Sequence, residues 1–106
     1  MQSTDLNDLS KREVAPRCWA RFVHSGNVTV SYWDLEPGAQ IPPHSHPHEQ
    51  VTSLIEGEME MTVGGETKRF TPGCVVVIPP NTSHAVKAAK ACYVIDVFYP
   101  VREDYR

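Results

Sequence analysis

From Trp19 onward, prolines and turn-type dipeptides cut the sequence into runs too short for any long amphipathic helix. "CWARFVH" closes at "SGN", and "VTVSYWDLE" closes at "PGA". "QVTSLIE" and "EMEMTV" flank Gly57, while "MEMTV" and "ETKRF" flank Gly64 and Gly65, the length of a two-residue hairpin loop. "TPG" leads into "CVVVI", "PPNTSH" breaks that run, and "ACYVIDVFY" stops at Pro100. The runs are rich in β-branched residues. Nearly all of the nine prolines fall at their ends, where a residue that cannot donate to a ladder is tolerated.

The expected fold is therefore all-β, and 106 residues suffice for one domain but not two. Residues 1–18 read as an N-terminal arm and residues 19–106 as the β domain. Evenly spaced short strands predict a sandwich or a barrel. Two features favour a closed barrel: the strands are short, and polar histidines alternate along one segment. In a small barrel such side chains can line a cavity instead of entering an apolar core.

Composition narrows the function classes. Net charge is −3 and the basic residues are scattered, so neither nucleic acid nor an anionic membrane surface is an expected partner. No apolar run approaches the roughly 20 residues of a membrane helix. The polar start "MQSTDLNDLSKREV" lacks a signal-peptide core, which gives a cytoplasmic expectation. Cys18, Cys74 and Cys92 lack metal-site spacing and read as reduced, buried thiols.

"PPHSHPHEQ", residues 42–50, holds three of the five histidines. On a strand, His44 and His46 point the same way, as two ligands of one metal must. That parity continues to His48 and Gln50 if the strand stays straight, but Pro47 predicts a bend or bulge. Glu49 has the opposite parity, and His48 reads as a rim residue. The plain alternative is a surface cluster titrating near ~6.5. His84, after the turn in "PPNTSHAV", lies where the fold can bring it opposite His44 and His46. Three imidazoles and an oxygen donor suit a first-row divalent metal with open positions.

In "YVIDVFYPVREDYR", Val94, Asp96 and Phe98 share one strand face, and Tyr93, Ile95, Val97 and Tyr99 share the other. The second face is apolar enough to pack on another sheet or a second copy. An aspartate between Val94 and Phe98 needs a partner or a cavity. Arg102 is the candidate partner, and a structural Asp96–Arg102 ion pair is the plain reading of the spacing.

"GAQIPPHSHPHEQVTSLIEG" resembles the first cupin motif, with Gly38, His44, His46, Gln50 and Gly57 in its spacing. "GCVVVIPPNTSHAVKA" resembles the second, with Gly73, Pro79, Asn81 and His84. The resemblance implies a cupin β-barrel, a double-stranded β-helix or jelly roll. Most metal-binding cupins have a glutamate where this chain has Gln50. A set of His44, His46, Gln50 and His84 carries no negative charge, which favours Lewis-acid work over redox cycling. The ending Asp-x-Phe-x-Pro-x-Arg-Glu-Asp, from Asp96, resembles that of the KdgF-type cupins. One local departure is the three residues between His46 and Gln50, one fewer than in that pattern.

The KdgF-type resemblance implies a divalent transition metal (Ni, Zn, Fe or Mn) on His44, His46, Gln50 and His84. It implies Asp96, Phe98 and Arg102 as active-site residues, and linearisation of 4,5-unsaturated uronates from pectin or alginate breakdown. The expected partner is thus a small acidic sugar. Cupin analogy, the arm and the Tyr93/Tyr99 face imply a homodimer. Two other readings stay open: a dioxygenase using Fe(II), and a non-catalytic cupin that binds a small sugar or acid.

Overall fold

The computed structural model describes all 106 residues. Ten strands follow in order: β1 (Arg12–Ala15), β2 (Cys18–His24), β3 (Thr29–Leu35), β4 (Gln40–His44), β5 (Glu49–Glu56), β6 (Met59–Val63), β7 (Glu66–Phe70), β8 (Val75–Ile78), β9 (His84–Ala88) and β10 (Cys92–Tyr99). Two single-turn 3-10 helices stand at the ends, η1 (Leu6–Asp8) and η2 (Glu103–Tyr105). No helix is long and apolar enough to cross a membrane. Within the stretch read as an arm, Arg12–Ala15 pairs with β2 as an edge strand.

The strands form two antiparallel sheets, β1-β2-β3-β10-β5-β8 and β4-β9-β6-β7. The fold is a jelly-roll sandwich, so the closed barrel expected from the sequence is corrected. The chain changes sheet six times: at Pro37–Gly38, at residues 45–48 around Pro47, at Gly57, at Pro72–Gly73, at Pro79–Pro80–Asn81 and at residues 89–91; all but the last carry a proline or a left-handed residue. These corners interrupt the ladder, because proline cannot donate and left-handed residues turn the strand out of register. Asn81, at φ 60°, fills the left-handed position with one of the few side chains that tolerates it.

Gly57 is the tightest corner. Its φ is 97°, and an added Cβ would run into the Ala91 carbonyl oxygen and the Cys92 sulfur. Gly57→Ala should therefore destabilise the fold by about 2–4 kcal/mol. A chemical denaturation midpoint equal to wild type would refute that.

The core lies between the sheets. Cys18, Ala20, Trp33, Leu35, Leu54, Cys92 and Val94 meet Met59, Met61, Phe70 and Ala88. All three cysteines are free thiols; Cys18 and Cys92 are buried and Cys74 partly so. The inward residues change character along the strands. On β3 they run Leu35, Trp33, Ser31, Thr29; on β5, Leu54, Thr52, Gln50; on β9, Ala88, Val86, His84. One end of the sandwich is thus an apolar plug and the other a polar chamber. The outer face of β10 leaves Val97 and Tyr99 exposed, and the edge strand β8 exposes Val75 and Val77.

A candidate metal centre at the mouth of a cavity

His44, His46 and His84 form one cluster, their ligand atoms all within 4.8 Å of one another. That is close to the span set by metal–nitrogen bonds of about 2.0–2.1 Å. Strand alternation does not assemble it. β4 ends at His44, His46 lies in the crossing to the other sheet, and Gln50 is on β5. The expected bend at Pro47 is present, but β4 already ends at His44, so the placing of His44 and His46 on one strand is corrected. Register does the work instead, since His44 sits directly opposite His84 in the β4–β9 pair. Their rings are 4.1 Å apart, and His46 lies 4.9 Å from His84.

The ring nitrogens face the cluster in a definite state. Each Nδ1 bonds a backbone carbonyl: His44 to Pro42 at 2.9 Å, His46 to His48 at 3.0 Å and His84 to Thr82 at 2.9 Å. A neutral imidazole has a single N–H, so Nδ1 donates and Nε2 is left as a bare lone pair. His84 Nε2 is buried without a hydrogen-bond partner. His46 Nε2 faces Gln50 Oε1 at 2.9 Å, which brings two acceptors together. An imidazolium does not resolve this. Burial, with Arg102 nearby, holds the His46 pKa low, and burial takes that of His84 down to about 4. Three lone pairs and an amide oxygen converging without a proton fit a divalent cation.

The other histidine and acid of the motif stand aside. His48 packs against His46 with ring centroids 5.4 Å apart and supplies only its carbonyl, and Glu49 is exposed.

Behind the cluster lies a cavity of about 210 Å3. His44, Gln50, Thr52, His84, Asp96 and Arg102 form its polar side, while Trp33, Leu35, Met59, Met61 and Val94 contribute to an apolar wall. Asp96 is 7 % exposed and lies opposite Thr52 on β5 and Ser31 on β3. Thr52 Oγ1 donates to Asp96 Oδ1 at 2.7 Å. Burial pushes the Asp96 pKa up to about 6, although Thr52, Gln50 and Arg102 pull against it.

Arg102 makes no ion pair with Asp96, so that expectation is corrected. Its guanidinium bonds Asp104 twice, at 2.9 and 2.7 Å, because η2 turns Asp104 back over it. Burial opposes the Arg102 charge, but Asp104 and Tyr105 together outweigh it and the Arg102 pKa is raised. The guanidinium carbon lies 4.8 Å over Phe98 and 4.2 Å over Tyr105, which fixes it at the cavity edge. Phe98 also meets His46, at 5.6 Å.

Sequence reasoning passed over Thr52, Ser31 and Tyr105. Thr52 and Ser31 carried a usable signal, since each occupies an inward position beside an aliphatic or aromatic residue and so requires a polar partner. Tyr105 had none, being placed by η2 alone.

Comparison with known proteins agrees with this fold. The cupin domain family matches residues 31–98. KdgF from Halomonas sp. superposes with a TM-score of 0.89 at 28 % identity, over 94 % of both chains. An RmlC-like cupin from Shewanella frigidimarina superposes at 0.92, with 24 % identity over 97 % of this chain and 94 % of that one, a likeness of fold. H2HPP isomerase of Bacillus subtilis is 33 % identical over 61 residues, 57 % of this chain but only 25 % of that protein.

Proposed function

The chain belongs to the cupin family, and on that premise we propose that it is a metal-dependent isomerase that linearises 4,5-unsaturated uronate monosaccharides. The observation that carries the reading is Asp96, a buried carboxyl on the cavity wall with its pKa near 6, one hydroxyl away from Gln50 and the histidines. Similarity to KdgF over 94 % of both chains supports the choice of substrate.

His44, His46, His84 and Gln50 would hold the metal, which would supply Lewis acidity to the substrate's oxygens undiminished by any anionic ligand. The protein supplies the proton transfers. As the bond between the ring oxygen and C1 breaks, Asp96 takes the proton from the C1 hydroxyl. An aldehyde and a C5 enolate result. Asp96 returns the proton to C4 as the enolate becomes a ketone, so the net change is isomerisation. A carboxyl with a pKa near 6 exchanges protons readily in both directions at neutral pH. The N–H donors of Arg102 not committed to Asp104 bind the substrate carboxylate. Phe98 packs on the sugar ring.

A second reading rests on the apolar wall of Trp33, Leu35, Met59, Met61 and Val94. It favours a less hydroxylated acid, isomerised by the same proton shuttle. The similarity to H2HPP isomerase supports it.

The test is an NMR time course on 4,5-unsaturated galacturonate with protein reloaded in turn with Ni, Zn, Fe(II) or Mn, against a protein-free control. Ring opening well above the control rate is expected. No acceleration with any metal would overturn the reading, and oxygen uptake confined to the Fe(II) form would replace it with a dioxygenase.

A further inference from the structure

We infer that Thr52 is a positioning residue that holds the Gln50 amide with its oxygen toward the histidine cluster. The inference rests on the proposed metal site and adds what prepares it for a cation.

Gln50, Thr52 and Asp96 are 6 %, 2 % and 7 % exposed, so no bulk water competes for their hydrogen bonds. Thr52 sits between the other two: Gln50 shares its strand face two residues away, and Asp96 lies directly opposite on β10. A hydroxyl has one proton to give. Thr52 gives it to Asp96 Oδ1 at 2.7 Å. Its oxygen can then only accept, and it accepts from Gln50 Nε2 at 2.9 Å. That places the amide nitrogen on the Thr52 side and turns Oε1 to His46 Nε2, 2.9 Å away.

This orientation works against a local preference. His46 Nε2 carries a bare lone pair because its Nδ1 proton is committed to the His48 carbonyl. Left alone, the amide would turn over and donate its N–H to that lone pair. A turned amide presents no lone pair to a cation and caps the one on His46, removing two ligands together. The chain from Asp96 through Thr52 prevents this. Because Asn also offers an acceptor oxygen, a carboxamide at position 96 preserves the direction of the chain, whereas removal of the Thr52 hydroxyl breaks it.

Two measurements test this. In the metal-free wild type, NMR should show cross-relaxation from the Gln50 side-chain amide protons to the Thr52 methyl and not to the His46 Hε1 proton. The reverse pattern overturns the inference while leaving the metal site standing. If wild type takes up no metal but the Thr52 cross-peaks are present, the orientation stands and the metal reading fails. Competition titration against a chromophoric chelator should then show Thr52→Val, which keeps the shape and deletes the hydroxyl, losing about 10–100-fold in affinity. Thr52→Ser should restore most of it. Unchanged affinity in Thr52→Val, or a Thr52→Ser variant as weak as Thr52→Val, would show that the hydroxyl does not set the ligand.

Discussion

Replacing Asp96 by asparagine is expected to lower turnover by about 10²–10⁴-fold while making the metal-free protein more stable above pH 6. Both effects have one cause. The sandwich buries a carboxyl whose charged form is disfavoured, so its pKa rises from the ordinary 3.8 to about 6. A folded-state value above the unfolded one means that the native chain binds the extra proton between about pH 4 and 6. Ionisation of Asp96 therefore costs stability progressively across that window, and the cost is fully present above it. Below about pH 4 both states are protonated and the cost vanishes. Asparagine removes the cost, with a gain of at most about 3 kcal/mol at pH 7–8 that fades to nothing as pH falls through 6 to 4. Comparing the two proteins cancels the opposite contribution of His84, which burial keeps neutral down to about 4. Metal content should be retained, because the asparagine oxygen still accepts from Thr52. Thermal melts of chelated protein from pH 4 to 8, with metal analysis and turnover of the loaded form, make the check. Loss of metal in step with activity would remove Asp96 from its assigned role.

Much of this arrangement was written in the chain. Turn residues marked the strand ends because glycine and proline act locally, through φ and a missing donor. The facing of Val94, Asp96 and Phe98 followed from strand periodicity, and burial agrees with it residue by residue. Sheet closure was not legible. Whether a ladder continues around a corner depends on how Gly57, Gly73 and Asn81 direct the backbone, and a run of residue types does not fix that. The histidines pointed to one another for a reason that differs from the observed one. Alternation suggested a single strand, whereas the β4–β9 register and the crossing at His46 bring them together. Arg102 illustrates the limit of spacing. Asp96 is nearer the middle of the chemistry, but Asp104 is placed by a turn of η2 that the sequence hardly announces.

The Gln50–Thr52–Asp96 chain also explains why the site tolerates a neutral oxygen donor. A glutamate needs no orienting partner, since either oxygen can ligate. An amide has one ligating face, and the burial that protects Thr52 from water is what makes a single hydroxyl sufficient to choose it. A structure able to hold Gln50 in this way keeps the histidine cluster free of anionic charge, as the acidic substrate proposed for it would require.

His84→Ala should reduce metal affinity by at least about 100-fold and remove most of the stabilisation that metal gives to the fold. His84 is 2 % exposed, its Nε2 has no protein partner, and its ring packs 4.1 Å from His44 and 4.9 Å from His46. Deleting it removes one ligand and the wall that holds the other two rings. In wild type, metal at about 1,000 times its dissociation constant should add about 4 kcal/mol to unfolding, a rise of several degrees in Tm for a domain of this size. At the same metal concentration a variant about 100-fold weaker should keep only about 1.4 kcal/mol, roughly a third of the wild-type shift, and a weaker one less. Its apo form should nevertheless stay folded, because the apolar plug of Leu35, Leu54, Met59 and Phe70 lies at the far end of the sandwich. His48→Ala supplies the contrast, since the hydrogen bond to His46 comes from its backbone carbonyl and its ring only packs alongside, and it should keep most of the metal-induced shift. A His84→Ala protein that still gains the full wild-type shift would place the ion elsewhere. A His48→Ala protein that loses it would bring His48 into the ligand set, where its otherwise unpartnered Nδ1 would find its use.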